Sequence, residues 1–309
     1  MKHLEDTPWW ICDPEDINFC AYVDTDSNYF HAEPILRHLY PNFDQMSVNE
    51  RDDALEQIAL KYQDIITKSY DTLAKECFNV STHRLEMKTE CVIRSAYFRA
   101  TRRYAQWITK KEGIAKEELD VKGLEFKKAN FPPVLGDFFK TTLIDVLKGT
   151  KQSEIDERVK EFKNKILSGD ISILKLGNPT SVKKLNNYIE RKAKAGEMFS
   201  IVGKGAPASV RATIVYNDLV RFWKLNDSYS YIVQGDKVKW VYLKPNPYQI
   251  EALAFLDFEI PDKIYKFIET YVDRKKIFDT ILLNKLEGFY SDLGWNLNLN
   301  PYQNIFFNI

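Results

Sequence analysis

Two carboxylates, Asp24 and Asp26, stand one residue apart in the segment Tyr22-Val23-Asp24-Thr25-Asp26-Ser27. Apolar, β-prone runs at 17–23 and 28–32 flank it, with turn formers between them, which predicts a tight hairpin. Side chains alternate across a strand, so the two acids are expected on one face. Paired oxygen donors suit a hard divalent cation such as Mg2+, which takes one or two protein carboxylates and fills its shell with water and substrate phosphates. The plainer reading of the same six residues is an Asp- and Ser-rich turn.

Acids on a hairpin need a scaffold. Residues 1–15 read as an irregular, acidic lead-in anchored by Trp9 and Trp10. After the hairpin, Ser47-Val48-Asn49-Glu50 forms a capping box. Leu55, Ile58, Ala59, Tyr62, Ile65, Ile66 and Leu73 then recur on one helical face. Strands are expected at about 83–93, 96–108 and 119–126, giving a sheet with a helix across it.

Phe131-Pro132-Pro133 interrupts this pattern and marks the expected domain boundary. Beyond it helices should dominate. One spans 135–147 and stops at Gly149; another is capped by Ser153 and carries Ile155, Val159, Phe162 and Ile166; a short basic one covers 181–194. A β-prone stretch follows 196–207 and ends near Leu243. A long amphipathic helix at 264–289 turns Phe267, Ile268, Tyr271, Phe278, Leu282 and Leu286 inward.

The fold class expected is therefore α+β. The organisation is 1–130, 131–290 and a tail at 291–309.

Composition narrows function little. Lys plus Arg and Asp plus Glu are both 44 in 309 residues, so net charge carries no message about nucleic acid. Local charge does: residues 99–128 hold nine basic and five acidic side chains, interleaved with aromatics (Tyr97, Phe98, Tyr104, Trp107), the pattern of a DNA-facing surface. Four scattered cysteines, Cys12, Cys20, Cys77 and Cys91, lack zinc or disulfide spacing. No apolar run reaches the ~20 residues of a membrane span.

The hairpin segment resembles the C motif of family B DNA polymerases. Further blocks occur in that family's order. Thr101-Arg102-Arg103-Tyr104 is similar to its Lys-Lys-Arg-Tyr block, with Thr101 replacing the first Lys. Lys122-Gly123-Leu124-Glu125 is similar to the Gly-Leu-Glu block where palm passes into thumb. Arg211 to Asn217 and Leu286-Glu287-Gly288-Phe289 look like thumb segments of tailed-phage replicative polymerases.

The resemblance implies a partial palm, an antiparallel sheet with a helix, followed by a mainly helical thumb. It implies Asp26 and Asp24 as catalytic ligands of a two-Mg2+ site, with Asp26 the firmer. Arg102, Arg103, Tyr104 and Lys122 would grip primer-template DNA. Ile305, Phe306 and Phe307 would form a short hydrophobic tail that docks on a sliding clamp.

The family's earlier Asp motif, fingers and exonuclease are not found here. The expectation is thus the C-terminal subunit of a split polymerase, its gene broken inside the palm. It would extend primers with dNTPs only alongside an N-terminal polymerase fragment, as a bacteriophage replication protein in the host cell cytoplasm. The alternative is a non-enzymatic DNA-binding or clamp-tethering remnant.

Overall fold

The computed structural model describes residues 20–24, 27–124, 126, 130–297 and 299. Asp26 and the tail residues Ile305, Phe306 and Phe307 lie outside these, as do Trp9 and Trp10. The chain is α+β and divides into two units, Met1–Leu124 and Glu125–Ile309.

In the first unit β1 (Cys20–Asp24) and β2 (Ser27–Phe30) pair antiparallel, with Asp24 opposite Ser27. The hairpin read from the sequence is present. Helix α1 (Glu33–Leu39) leads to α2 (Val48–Phe78). The capping box holds: Glu50 N–H donates to Ser47 Oγ at 3.3 Å, and Ser47 N–H donates to Glu50 Oε2 at 2.7 Å. Leu36, Phe43, Ala54 and Ile58 form a small core beneath the first turns of α2. Farther along, the expected stripe is only partly covered, since Ile65 and Leu73 are exposed.

Three antiparallel strands follow, β3 (Cys91–Ala100), β4 (Arg103–Lys111) and β5 (Ile114–Lys122), with β4 central. They correct the sequence reading twice. Residues 83–90 are not a strand, and α2 side chains take up two of their backbone N–H groups. Met87 N–H donates to Thr67 Oγ1 at 3.4 Å and Thr89 N–H to Gln63 Oε1 at 2.7 Å. And 96–108 is not one strand but the heart of a hairpin, turning at Thr101 and Arg102. Ion pairs tie α2 to this sheet: Arg94 to Asp52 at 2.7 Å, and Lys110 to Glu56 at 2.7 Å and to Asp53. The two carboxylates raise the Lys110 pKa.

The second unit begins with α3 (Pro133–Leu147) and α4 (Gln152–Ser168), much as the sequence predicts. Ile155, Val159 and Ile166 are fully buried, but the N-cap is Lys151 rather than Ser153. After α5 (Ile173–Leu176) the chain departs from expectation. Residues 181–194 are not a helix; they contain the end of β6 (Asn178–Ser181), a 3-10 turn and β7 (Ile189–Arg191), which pairs with β8 (Ile201–Val202).

The supposedly β-prone stretch opens as α6 (Ala208–Phe222). Its β-branched residues fold as helix because Val210, Ile214 and Val220 join a core with β9 (Lys237–Tyr242) and β10 (Ala252–Phe255). Tertiary burial outweighs propensity here.

The expected long helix is interrupted. Helix α7 (Asp262–Tyr271) stops at Val272, which is extended and bridges to Leu243, and Asp273 caps α8 (Arg274–Ile277) through Lys276 N–H at 2.8 Å. A π-helical segment, Phe278–Leu283, joins it to α9 (Asn284–Asp292). Phe278, Leu282 and Leu286 face inward as predicted.

Among the described residues no helix is long and apolar enough to cross a membrane.

Candidate functional site at two hairpin tips

Alternation in the first hairpin places Cys20, Tyr22 and Asp24, with Tyr29 of the paired strand, on its more buried face; Val23 and Phe30 point outward and are exposed. The buried face meets Phe98 of β3 and Tyr104 of β4, a cross-strand pair. Tyr22, Tyr29, Phe98 and Tyr104 form one cluster in which every pair of ring centroids is 5.3 to 5.8 Å apart. Such pairs are worth about 0.5–1.5 kcal/mol each beyond simple burial. They fix the first hairpin on the second. Tyr29 and Tyr104 hydroxyls lie 3.1 Å apart, and burial together with this contact raises the Tyr29 pKa.

At the tip the consequence is a junction. Arg102 sits in the β3–β4 turn with φ of 59°, a left-handed conformation uncommon for a residue with a side chain. Its backbone N–H donates to the Tyr22 hydroxyl at 2.9 Å. That hydroxyl in turn lies 3.5 Å from Asp24 Oδ2, the oxygen that also faces Arg102 Nε at 3.5 Å. The Asp24 side chain is 30% exposed and that of Arg102 74%, so the ion pair alone contributes little. The aromatic cluster, not the charge pair, holds the tips together.

Gly123 completes the arrangement. It adopts φ of 64°, and a Cβ there would lie 2.0 Å from the Arg102 carbonyl oxygen. Only glycine lets the end of β5 run this close to the turn. Lys122 is opposite Tyr104 on the neighbouring strand, its Nζ 5.8 Å from the ring centroid. Arg102, Arg103 and Lys122 are all exposed.

The structure therefore groups Asp24, Arg102, Arg103 and Lys122 at one end of the first unit. Tyr104, expected to touch DNA, is 4% exposed and supports the turn from beneath. Tyr97 and Trp107 are likewise buried, which corrects the reading of the interleaved aromatics as a DNA-facing surface. Tyr104 and Trp107 belong to β4, in which residues 104 to 109 are all buried, so both faces of that strand are covered. Tyr29 is the member sequence reasoning missed, although an aromatic opposite Tyr22 across the turn was a readable signal.

Among the described residues no three His, Cys, Asp or Glu side chains are grouped to hold a metal ion. The thumb-like block Arg211–Asn217 lies within α6, where its side chains serve the fold. Tyr216 is fully buried, and the Asn217 amide bonds both the N–H and the carbonyl of Ile232 at 2.8 Å.

No known family pattern matches the chain, and no curated protein is similar to it.

Proposed function

We propose that this chain is the C-terminal subunit of a split family B DNA polymerase, contributing part of the palm and the thumb. The observation that carries the reading is the junction of Asp24, from the Tyr-x-Asp-Thr-Asp-Ser hairpin, with the Arg102-Arg103 turn. The family's C motif and duplex-binding block would have to meet in this way.

The donors at the tip fit Mg2+. Carboxylate and phenol oxygens are hard ligands, and Asp24 is partly exposed. Asp24 and Asp26 would hold the cation, with a further Asp from the N-terminal partner. When bound, the metal pair supplies charge stabilisation to the attacking and leaving oxygens of nucleotidyl transfer.

The remaining work belongs to this chain. Tyr22 fixes the Arg102 backbone and so sets where the guanidinium sits. Arg102 beside Asp24 offsets the carboxylate's charge in the free protein. Arg102, Arg103 and Lys122 face the phosphates of the primer-template duplex, reading geometry and not sequence. Tyr104 carries the turn, and Ile305, Phe306 and Phe307 form the clamp-binding tail.

Duplex binding and catalysis separate this reading from the non-enzymatic one. In both, affinity for a primer-template duplex should fall steeply with salt, with a smaller slope after Arg103→Ala or Lys122→Ala. Only the polymerase reading predicts primer extension with the N-terminal partner present, abolished by Asp26→Ala. Salt-sensitive binding with no extension in that mixture leaves the tethering remnant as the function.

A further inference from the structure

A second site lies wholly in the second unit and owes nothing to the hairpin acids. Strands β6 and β9 pair with Asn178 opposite Trp240 and Thr180 opposite Val238. Alternation puts Asn178, Thr180, Trp240 and Tyr242 on the same face of this sheet. They form one side of an open cleft of about 250 Å³, lined also by Ser209 from the first turn of α6 and Thr280 from the π-helical segment.

The lining is specific in kind. It presents two aromatic rings, three aliphatic hydroxyls, the Tyr242 phenol and two amides, with no carboxylate. Trp240 and Tyr242 are half-buried and meet edge to face, centroids 4.9 Å apart. Lys276 places its ammonium 4.7 Å from the Tyr242 ring centroid, setting a positive charge beside the cavity.

Asn178 is the strongest pointer. It is only 6% exposed, and what remains accessible of it lines the cavity. Thr280 and Ile281 reach the wall from a π-helical turn, a form that recurs at functional sites.

We infer that this cavity binds one unstacked nucleotide of single-stranded DNA. A ring to stack on, an amide able to donate and accept toward a base edge, and a cation for the phosphate are the elements such recognition uses. The volume falls below the roughly 300–1,000 Å³ of drug-sized sites, so the cleft would enclose no more than part of one nucleotide and leave its neighbours in solvent. The Asn178 amide pairs with the base edge, and Lys276 answers the backbone phosphate.

The inference stands apart from the polymerase reading, and its test is a binding measurement on this chain alone. Fluorescence anisotropy with a labelled oligothymidylate is compared across the full-length protein and its Trp240→Ala, Asn178→Ala and Lys276→Gln variants. Each variant is checked for an unchanged circular-dichroism spectrum and melting profile. Trp240→Ala should weaken single-strand binding roughly five- to hundredfold, the range for loss of one stacked base. Lys276→Gln is exposed enough to fold in any case, and should flatten the salt dependence while duplex affinity is unchanged.

Equal single-strand affinity in the folded variants, or no binding by the native chain, overturns the site. So does displacement of the oligonucleotide by a neutral disaccharide but not by thymidine monophosphate.

Discussion

The Tyr22 hydroxyl accepts the backbone N–H of Arg102 at 2.9 Å, joining the strand that bears Asp24 to the turn of a hairpin eighty residues later in the chain. A phenol holding a turn by its main chain leaves the Arg102 side chain with only its exposed contact to Asp24 at 3.5 Å. On the proposed function, the guanidinium would exchange its weak pairing with Asp24 for a phosphate without the turn moving.

Gly123 should tolerate no side chain. Its left-handed backbone and the 2.0 Å approach of a Cβ to the Arg102 carbonyl together penalise alanine. Gly123→Ala is expected to destabilise the protein by more than about 2 kcal/mol, measured by urea unfolding. A change within about 0.5 kcal/mol, the usual range for surface substitutions, would show that β5 does not pass this close to the turn.

Arg94 and Asp52 test how α2 is held to the sheet. The Asp52 side chain is 7% exposed and lies 2.7 Å from the Arg94 guanidinium. Arg94→Ala strands a buried carboxylate and should cost about 3 kcal/mol or more. Replacing both residues by alanine should cost less than Arg94→Ala alone, since the unpaired charge is then gone. Simple additivity in the double-mutant cycle would contradict the pairing.

Stability should decline in alkali. Burial pushes the Tyr216 phenol up to about 12, and the nearby Glu259 adds to the effect; burial raises Tyr29 and Tyr290 as well. Below pH about 10 these phenols are protonated in both folded and unfolded chains, and contribute no pH dependence. Above it the unfolded chain loses protons that the folded one keeps, so stability falls by up to about 1.4 kcal/mol per pH unit for each such tyrosine. For Tyr216 the window closes near pH 12. The Tyr216→Phe variant should show a shallower decline in urea midpoint over this window; an unchanged slope would exclude Tyr216 as a contributor.

What could be read from the chain depended on how locally each feature was specified. The Ser47–Glu50 box and the Ile155, Val159, Ile166 stripe are encoded within a turn or two, and both are found as expected. Thr101 and Arg102 gave no turn signal, because neither is Gly, Pro, Asn or Asp. The turn is made by packing: the four-ring cluster, the Tyr22 hydroxyl and Gly123 hold Arg102 in its strained backbone.

Helix α6 was hidden for a related reason. Its β-branched residues pack on β9 and β10, partners more than fifteen residues downstream. The break at Val272 depends on its bridge to Leu243, although Asp273 ahead of Arg274-Lys275-Lys276 was a readable cap. At the site, the hairpin and the basic residues were legible, and the burial of Tyr104 was not. Burial of that strand depends on what covers both of its faces.

The central claim is a catalytic centre completed between polypeptides, and primer extension tests it most directly. The full chain would be mixed with the polypeptide carrying the remaining polymerase motifs, together with primer-template, dNTPs and Mg2+. The account predicts extension in the mixture and none with either component alone. It also predicts a loss of more than about a hundredfold with Asp26→Ala, beyond what removal of an outer-shell partner of a metal site costs. Full activity of the Asp26→Ala mixture, or a native mixture that never extends the primer, would contradict it.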